Sequence, residues 1–172
     1  MSKALEATLE EIEDTQYGKY LTFVLDREVY GLEVSHVTEI IGIQPITTVP
    51  EVLSYVRGII NLRGKIIPVI DMRLKFGKQE VEYNDRTCII VVEIGGIPTG
   101  LIVDNVAEVL DIADENIVPP PDYKTGFQSR FIKGIGKVGN EVKLLLDCDK
   151  ILSDEDRDVI ASSITVDSIS LD

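Results

Sequence analysis

The sequence contains no tryptophan, one histidine, two cysteines and two methionines in 172 residues. Cys88 and Cys148 are far apart and read as small core residues rather than a disulfide. One imidazole, no closely spaced cysteine pair and no His/Asp/Glu cluster leave no recognisable metal site. No G-x-G-x-x-G or Walker pattern occurs, and Gly134-Ile135-Gly136 leads into a strand rather than a helix, so no phosphate loop is expected. His36 has no nucleophile motif to serve. No catalytic residue and no cofactor follow from these residues, and a small acidic β-barrel enzyme is the weakest reading.

Long apolar runs are also missing. Charge or glycine interrupts each one before it reaches membrane-spanning length, so direct membrane insertion is not expected. The opening MSKALEATLEEIEDTQ lacks the basic and apolar regions of a signal peptide, which points to a cytoplasmic protein. Basic residues are few: 17 Lys and Arg against 30 Asp and Glu, a formal charge of −13. A basic face for phosphate contacts is therefore not expected, and neither is nucleic-acid binding. The acid concentrates at the ends, with −4 in residues 1–16 and −5 in residues 153–172. This divides the chain into an acidic extension (1–16), a central region (17–152), and a C-terminal helix and tail (153–172).

What the central region does contain is a duplication. Gly31 to Ile43 (G-L-E-V-S-H-V-T-E-I-I-G-I) aligns without gaps on Gly100 to Ile112 (G-L-I-V-D-N-V-A-E-V-L-D-I), at an offset of 69. Glu39 falls on Glu108. Val56 to Leu74 aligns on Ile132 to Lys150 at an offset of 76, with Arg57 on Lys133, Gly58 on Gly134 and Asp71 on Asp147. The extra seven residues go to the Pro119-Pro120-Pro121 to Arg130 stretch, a loop by composition. One copy of about five short strands buries too little to stand alone. The expected fold is mainly β: two five-stranded barrels, residues 17–86 and 87–152, packed on one shared hydrophobic core, with short helices and a C-terminal helix.

Local readings follow. Tyr20 to Leu25 and Val29 to Val34 read as a hairpin. Ser35 is expected to cap a helical turn carrying Val37, Ile40 and Ile41 on one face, with Asp104 in the same role in the second copy. Ile43 to Val49 reads as a strand, and Val52, Leu53 and Tyr55 as a short helical or turn segment. Pro68, inside I-I-P-V-I, requires an edge or a bulge. Ser153 with Asp156 starts a helix through about Ala161, with looser residues beyond.

The run Val56 to Leu74 carries the most information. Its two apolar strands meet at Arg63-Gly64, where Gly64 supplies positive φ, and Asp71 starts a short helix. Arg63 is thereby placed at the tip of a stiff apolar hairpin, suited to holding a carboxylate. Glu39 is a candidate to orient it. Arg57 reads as a strand cation, expected at a solvated position. The motif V-R-G-I-I-N-L-R-G-K-I-I-P-V-I-D-M-R, with Y-G-L-E-V-S-H-V-T-E-I-I-G before it and G-L-I-V-D-N-V-A-E-V-L after it, resembles the CheW family of bacterial chemotaxis coupling proteins. The resemblance spans roughly residues 17–152 and carries over Glu39, Gly58, Asn61, Leu62, Arg63 and Gly64.

That resemblance implies two SH3-like subdomains and a non-catalytic adaptor. Its partners would be the regulatory domain of the histidine kinase CheA and the cytoplasmic tip of methyl-accepting chemoreceptors, with possible self-association into rings and recruitment to membrane receptor arrays. Receptor contact would involve Val37, Glu39, Ile40 and Arg63, with Arg57, Gly58, Asn61, Leu62 and Gly64 as the motif and turn residues of the hairpin. A coupler of a non-chemotaxis array is the neighbouring alternative.

Overall fold

The computed structural model of the chain describes residues 17–50, 53–120 and 130–170. The acidic extension, Val52 and most of the 119–130 loop lie outside the described residues. Eleven strands are described: β1 Lys19–Leu25, β2 Glu28–Glu33, β3 Val37–Gly42, β4 Val56–Leu62, β5 Lys65–Asp71, β6 Cys88–Ile94, β7 Ile97–Val103, β8 Asn105–Asp111, β9 Ile117–Val118, β10 Ile132–Val138 and β11 Glu141–Leu146. Helix α1 is Met72–Lys75 and helix α2 is Asp154–Ser170.

The strands form two sheets, β8-β1-β2-β11-β10-β9 and β3-β6-β7-β5-β4. The fold is therefore mainly β, but the sheets do not divide at residue 86. Each repeat gives its first hairpin to the other's sheet: β1-β2 pairs with β8 and β11, and β6-β7 with β3 and β5. The exchange is symmetric. Gly31 on β2 runs parallel to Leu145 on β11, and Gly100 on β7 runs parallel to Val69 on β5, which are the same positions at offsets 69 and 76. A parallel neighbour distant in sequence closes each sheet, so neither is built from one contiguous half.

Three apolar clusters follow from this exchange. Ile60, Ile67, Val69, Ile89, Val91 and Ile102 fill the concave side of the five-stranded sheet. Tyr20, Ile112 and Leu145 do so in the other. The largest cluster lies between the sheets and draws on both repeats, including Phe23, Tyr30, Ile70, Ile90, Leu101, Phe131 and Leu146. A column of rings crosses it, Phe23–Tyr30–Phe76–Phe131, at centroid spacings of 5.7, 5.2 and 5.6 Å. Fully burying one such side chain contributes roughly 1.5–3 kcal/mol, so this shared cluster dominates the cohesion of the two sheets.

Several local expectations change. Residues 37–42 and 105–111 are strands, not helical turns; Val34–His36 before β3 forms a 3-10 turn, and no side chain caps it. The strand expected over Ile43 to Val49 shrinks to a single bridge, Thr47 to Ile59, whose repeat counterpart is the two-residue β9. Leu53 is irregular and Tyr55 lies in a turn. Pro68 sits just before the parallel ladder that begins at Val69, so its missing N–H interrupts no bond there. Ser153 does cap α2, its Oγ accepting from Asp156 N at 3.1 Å, but the helix continues past Ala161 to Ser170.

Candidate functional site

The Arg63-Gly64 turn has φ values of 52° and 86°. Two consecutive positive φ angles define the primed turn that matches strand twist. Gly64 adopts its angle without cost, whereas Arg63 does not. Asn61 fixes the turn, its Oδ1 accepting from Gly64 N at 2.9 Å. Leu62 tucks its side chain against the cluster of Ile60 and Ile67. The arginine at the tip is thus held by a hydrogen bond on one side and apolar packing on the other.

Arg63 then reaches across the sheet. Its two terminal nitrogens donate to Glu39 Oε1 and Oε2 at 2.7 and 2.6 Å. The Arg63 side chain remains 73% exposed and the Glu39 side chain only 23%. β3 and β4 are the two edge strands of the five-stranded sheet, so this bidentate pair straps one edge to the hairpin at the other. Hydrogen bonding from Arg63 holds the Glu39 carboxyl below its ordinary range, and Glu39 raises the arginine in return. The sheet is closed at this rim by charge and above Leu62 by apolar contact.

Val37 and Ile40 flank Glu39 differently. Val37 pairs with Val92 and packs against the shared core. A register shift between Val37 and Glu39 then reverses the alternation. Ile40 ends 44% exposed on the outer edge, and Ile66 beside the hairpin tip is 41% exposed. The structure therefore joins Glu39 and Arg63 directly, sets Ile40 in solvent on the same edge strand as Glu39, and leaves Val37 largely in the core.

Gly58 and Arg57 support the hairpin from behind. The β4 ladder bulges between Val56 and Gly58, and Gly58 has φ +147°. Arg57 is not a solvated strand position. It pairs with the Glu80 carboxylate, donates from Nε to Tyr83 Oη at 3.1 Å, and lies 3.6 Å from Asp71 Oδ2. Tyr83 Oη donates to Asp71 Oδ2 at 2.8 Å, and burial and Asp71 together push its hydroxyl up. Asp71, 2% exposed, caps α1 by accepting from Arg73 N and Leu74 N. The sequence identified Asp71 as a cap. Nothing local pointed to Tyr83, twelve residues on, as the group that shares its other oxygen.

Other chemistry is sparse. Among the described residues no three His, Cys, Asp or Glu side chains come together to hold a metal. Both cysteines are free, and burial pushes the Cys148 thiol up to about 12. His36 lies 3.7 Å from Glu33, a surface contact on a 3-10 turn. No helix among the described residues is long and apolar enough to cross a membrane.

Comparison with known proteins bears on the family and the fold. The family described as CheW-like domain matches residues 19–156. The chain is 34% identical over 151 residues to the chemotaxis protein CheW of Klebsiella aerogenes, covering 87% of this chain and 91% of that one. It is 31% identical over 153 residues to CheW of Thermotoga maritima, covering 88% and 95%. The crystal structure of scaffolding protein TtCheW from Thermoanaerobacter tengcongensis superposes with a TM-score of 0.75 at 38% identity, over 81% of this chain and 94% of that one. With most of its length matched in sequence and fold, the chain belongs to the CheW-like family.

Proposed function

We propose that this chemotaxis scaffold joins the cytoplasmic tip of transmembrane methyl-accepting chemoreceptors to the regulatory domain of the histidine kinase CheA, without catalysing a reaction itself. It works in the cytoplasm at receptor arrays, where it also takes part in rings. The receptor tip docks along the β3 edge and the β4–β5 hairpin, against Glu39, Ile40 and Arg63, with Val37 backing that surface from the core.

The observation that carries this reading is the exposed, doubly hydrogen-bonded Arg63 at a rim built from both edges of one sheet. A guanidinium held in one orientation loses less freedom on meeting a partner carboxylate or carbonyl than a free surface arginine does. Individual contacts of this kind are weak, and an array strengthens them by raising effective concentration.

A pull-down of the purified chain with a chemoreceptor cytoplasmic fragment and with CheA, separately and together, tests the proposal. Arg63→Ala is expected to fold, to retain CheA and to capture receptor about tenfold less well. Wild-type protein that captures neither partner would remove the adaptor assignment. Equal receptor capture by Arg63→Ala would remove the hairpin from the receptor contact.

A further inference from the structure

The second repeat contains the acidic half of the rim clamp without its basic half. Glu108 stands where Glu39 stands, at offset 69, and Gly139 stands where Arg63 stands, at offset 76. The register confirms the equivalence: Ile40 pairs with Ile90 and Val109 with Leu21, again at offset 69. Glu108 therefore occupies the barrel-side position on edge strand β8, while the residue that matches Arg63, Gly139, offers no side chain.

We propose that Glu108 is the docking point for an arginine side chain presented by a partner protein. The first repeat is the template, because there the same carboxylate position receives a guanidinium through two bonds. In the first repeat Arg63 helps set that carboxylate in place. In the second, a buried hydroxyl fixes the backbone instead. Thr22, 1% exposed, accepts from Glu108 N at 3.1 Å and donates to Glu108 O at 2.8 Å. The residue matching Thr22 at offset 69 is Val91, which pairs with Glu39 and has no hydroxyl. Glu108 is thus positioned through the neighbouring strand β1, and its residue is exposed.

Among the described residues, the neighbouring cations Lys143 and Lys137 do not take the vacant place. Lys143 replaces Ile67 in the barrel-side row and is 6% exposed, and its ammonium is bound to Glu141 Oε2 at 2.7 Å. Lys137 faces Val142 across the β10–β11 ladder, on the strand face opposite Lys143. Val109 and Val142, 54% and 55% exposed, lie at the repeat equivalents of Ile40 and Ile66. Arginine is preferred over lysine because only a planar fork meets both carboxylate oxygens at once.

The test is an amide NMR titration of the 15N-labelled chain with N-acetyl-arginine methylamide, and with the norleucine analogue as control. Three variants run alongside: Glu108→Gln; a graft of Gly139→Arg with Asn140→Gly that rebuilds the first-repeat turn; and the graft combined with Glu108→Gln. The arginine probe is expected to give saturable shifts in residues 106–110 and 138–142 that the norleucine probe does not produce. Those shifts are expected to vanish in Glu108→Gln and in the graft. The graft combined with Glu108→Gln is expected to give no arginine shifts either. Arginine shifts that persist without Glu108, no shifts at this rim, or shifts that survive in the graft would each overturn the proposal. None of these readouts uses receptor or CheA, so this proposal and the adaptor reading fail separately.

Discussion

The backbone carbonyl oxygen of Thr47 lies 2.0 Å from where a Cβ on Gly58 would stand. Thr47 and Ile59 exchange two backbone hydrogen bonds at 2.9 Å, and Gly58 is the residue that lets them approach. Gly134 repeats the arrangement in the second copy, where an added Cβ would meet Ile117 Cγ2 at 2.8 Å and Val118 O at 3.3 Å.

Gly58→Ala is therefore expected to cost at least about 2 kcal/mol, because the new methyl displaces backbone and also forces a positive φ. Gly64→Ala meets nothing within 4 Å. It should cost only the left-handed backbone penalty, about 1–2 kcal/mol. Urea denaturation of both variants separates close approach from backbone angle. Equal losses would show that Thr47 yields.

Arg63 and Glu39 should behave as a positional pair more than a stabilising one, since the guanidinium is exposed and screened by water. Exchanging them, Arg63→Glu with Glu39→Arg, is expected to leave the thermal midpoint close to wild type and to abolish receptor capture. Receptor capture by the exchanged protein would mean that the strap matters and the outward guanidinium does not.

Asp104 gives the acid side of the stability profile. Burial opposes its ionisation, but Arg73 donates to both of its oxygens at 2.7 and 2.5 Å and Asp26 N adds a third bond at 2.8 Å. The net effect holds its carboxyl below the usual range. A depressed folded pKa contributes stability above the unfolded value, near 4, which is lost as pH falls through the folded one. Asp104→Asn should therefore be clearly less stable than wild type at pH 7, with the gap narrowing from about pH 4 downward. Parallel urea curves across that range check it, and a gap independent of pH would contradict it.

Helix α2 is tied down at its first turns. Tyr55 Oη donates to Asp156 Oδ2 at 2.6 Å, Lys75 Nζ sits 3.6 Å from the same oxygen and 4.2 Å from the Tyr55 ring, and Ile160 is 3% exposed. Ile160→Ala is expected to cost about 2–5 kcal/mol. Tyr55→Phe, which keeps the ring over Lys75, is expected to cost about 1–2 kcal/mol. Hydrogen exchange along 154–162 should accelerate in both. Unchanged protection would detach the helix from these anchors.

Much of this was readable locally. The Arg63-Gly64 turn, the Asp71 and Ser153 caps and the two offsets follow from residue types with strong short-range preferences. Val37, Ile40 and Ile41 misled because the bulge between Val37 and Glu39 breaks the two-residue alternation. The apolar spacing then mimics one helical turn, and the ladder offered by β6 decides for a strand. Arg57 was misplaced because its partners, Glu80 and Tyr83, come from a segment with no regular structure.

The sequence by itself determined that there are two copies of one strand pattern, where each hairpin turns, and which turn carries an arginine. Those choices depend on neighbours within a few residues. Only the tertiary structure decided that the copies exchange their first hairpins and that Glu39 meets Arg63 across 24 residues. Two similar repeats offer nearly identical edges, so no local preference selects between self-pairing and exchange. Burial of Tyr30, Ile70, Ile90 and Leu146 in one common cluster favours the exchanged arrangement, and that exchange brings β3 and the hairpin tip to the same rim.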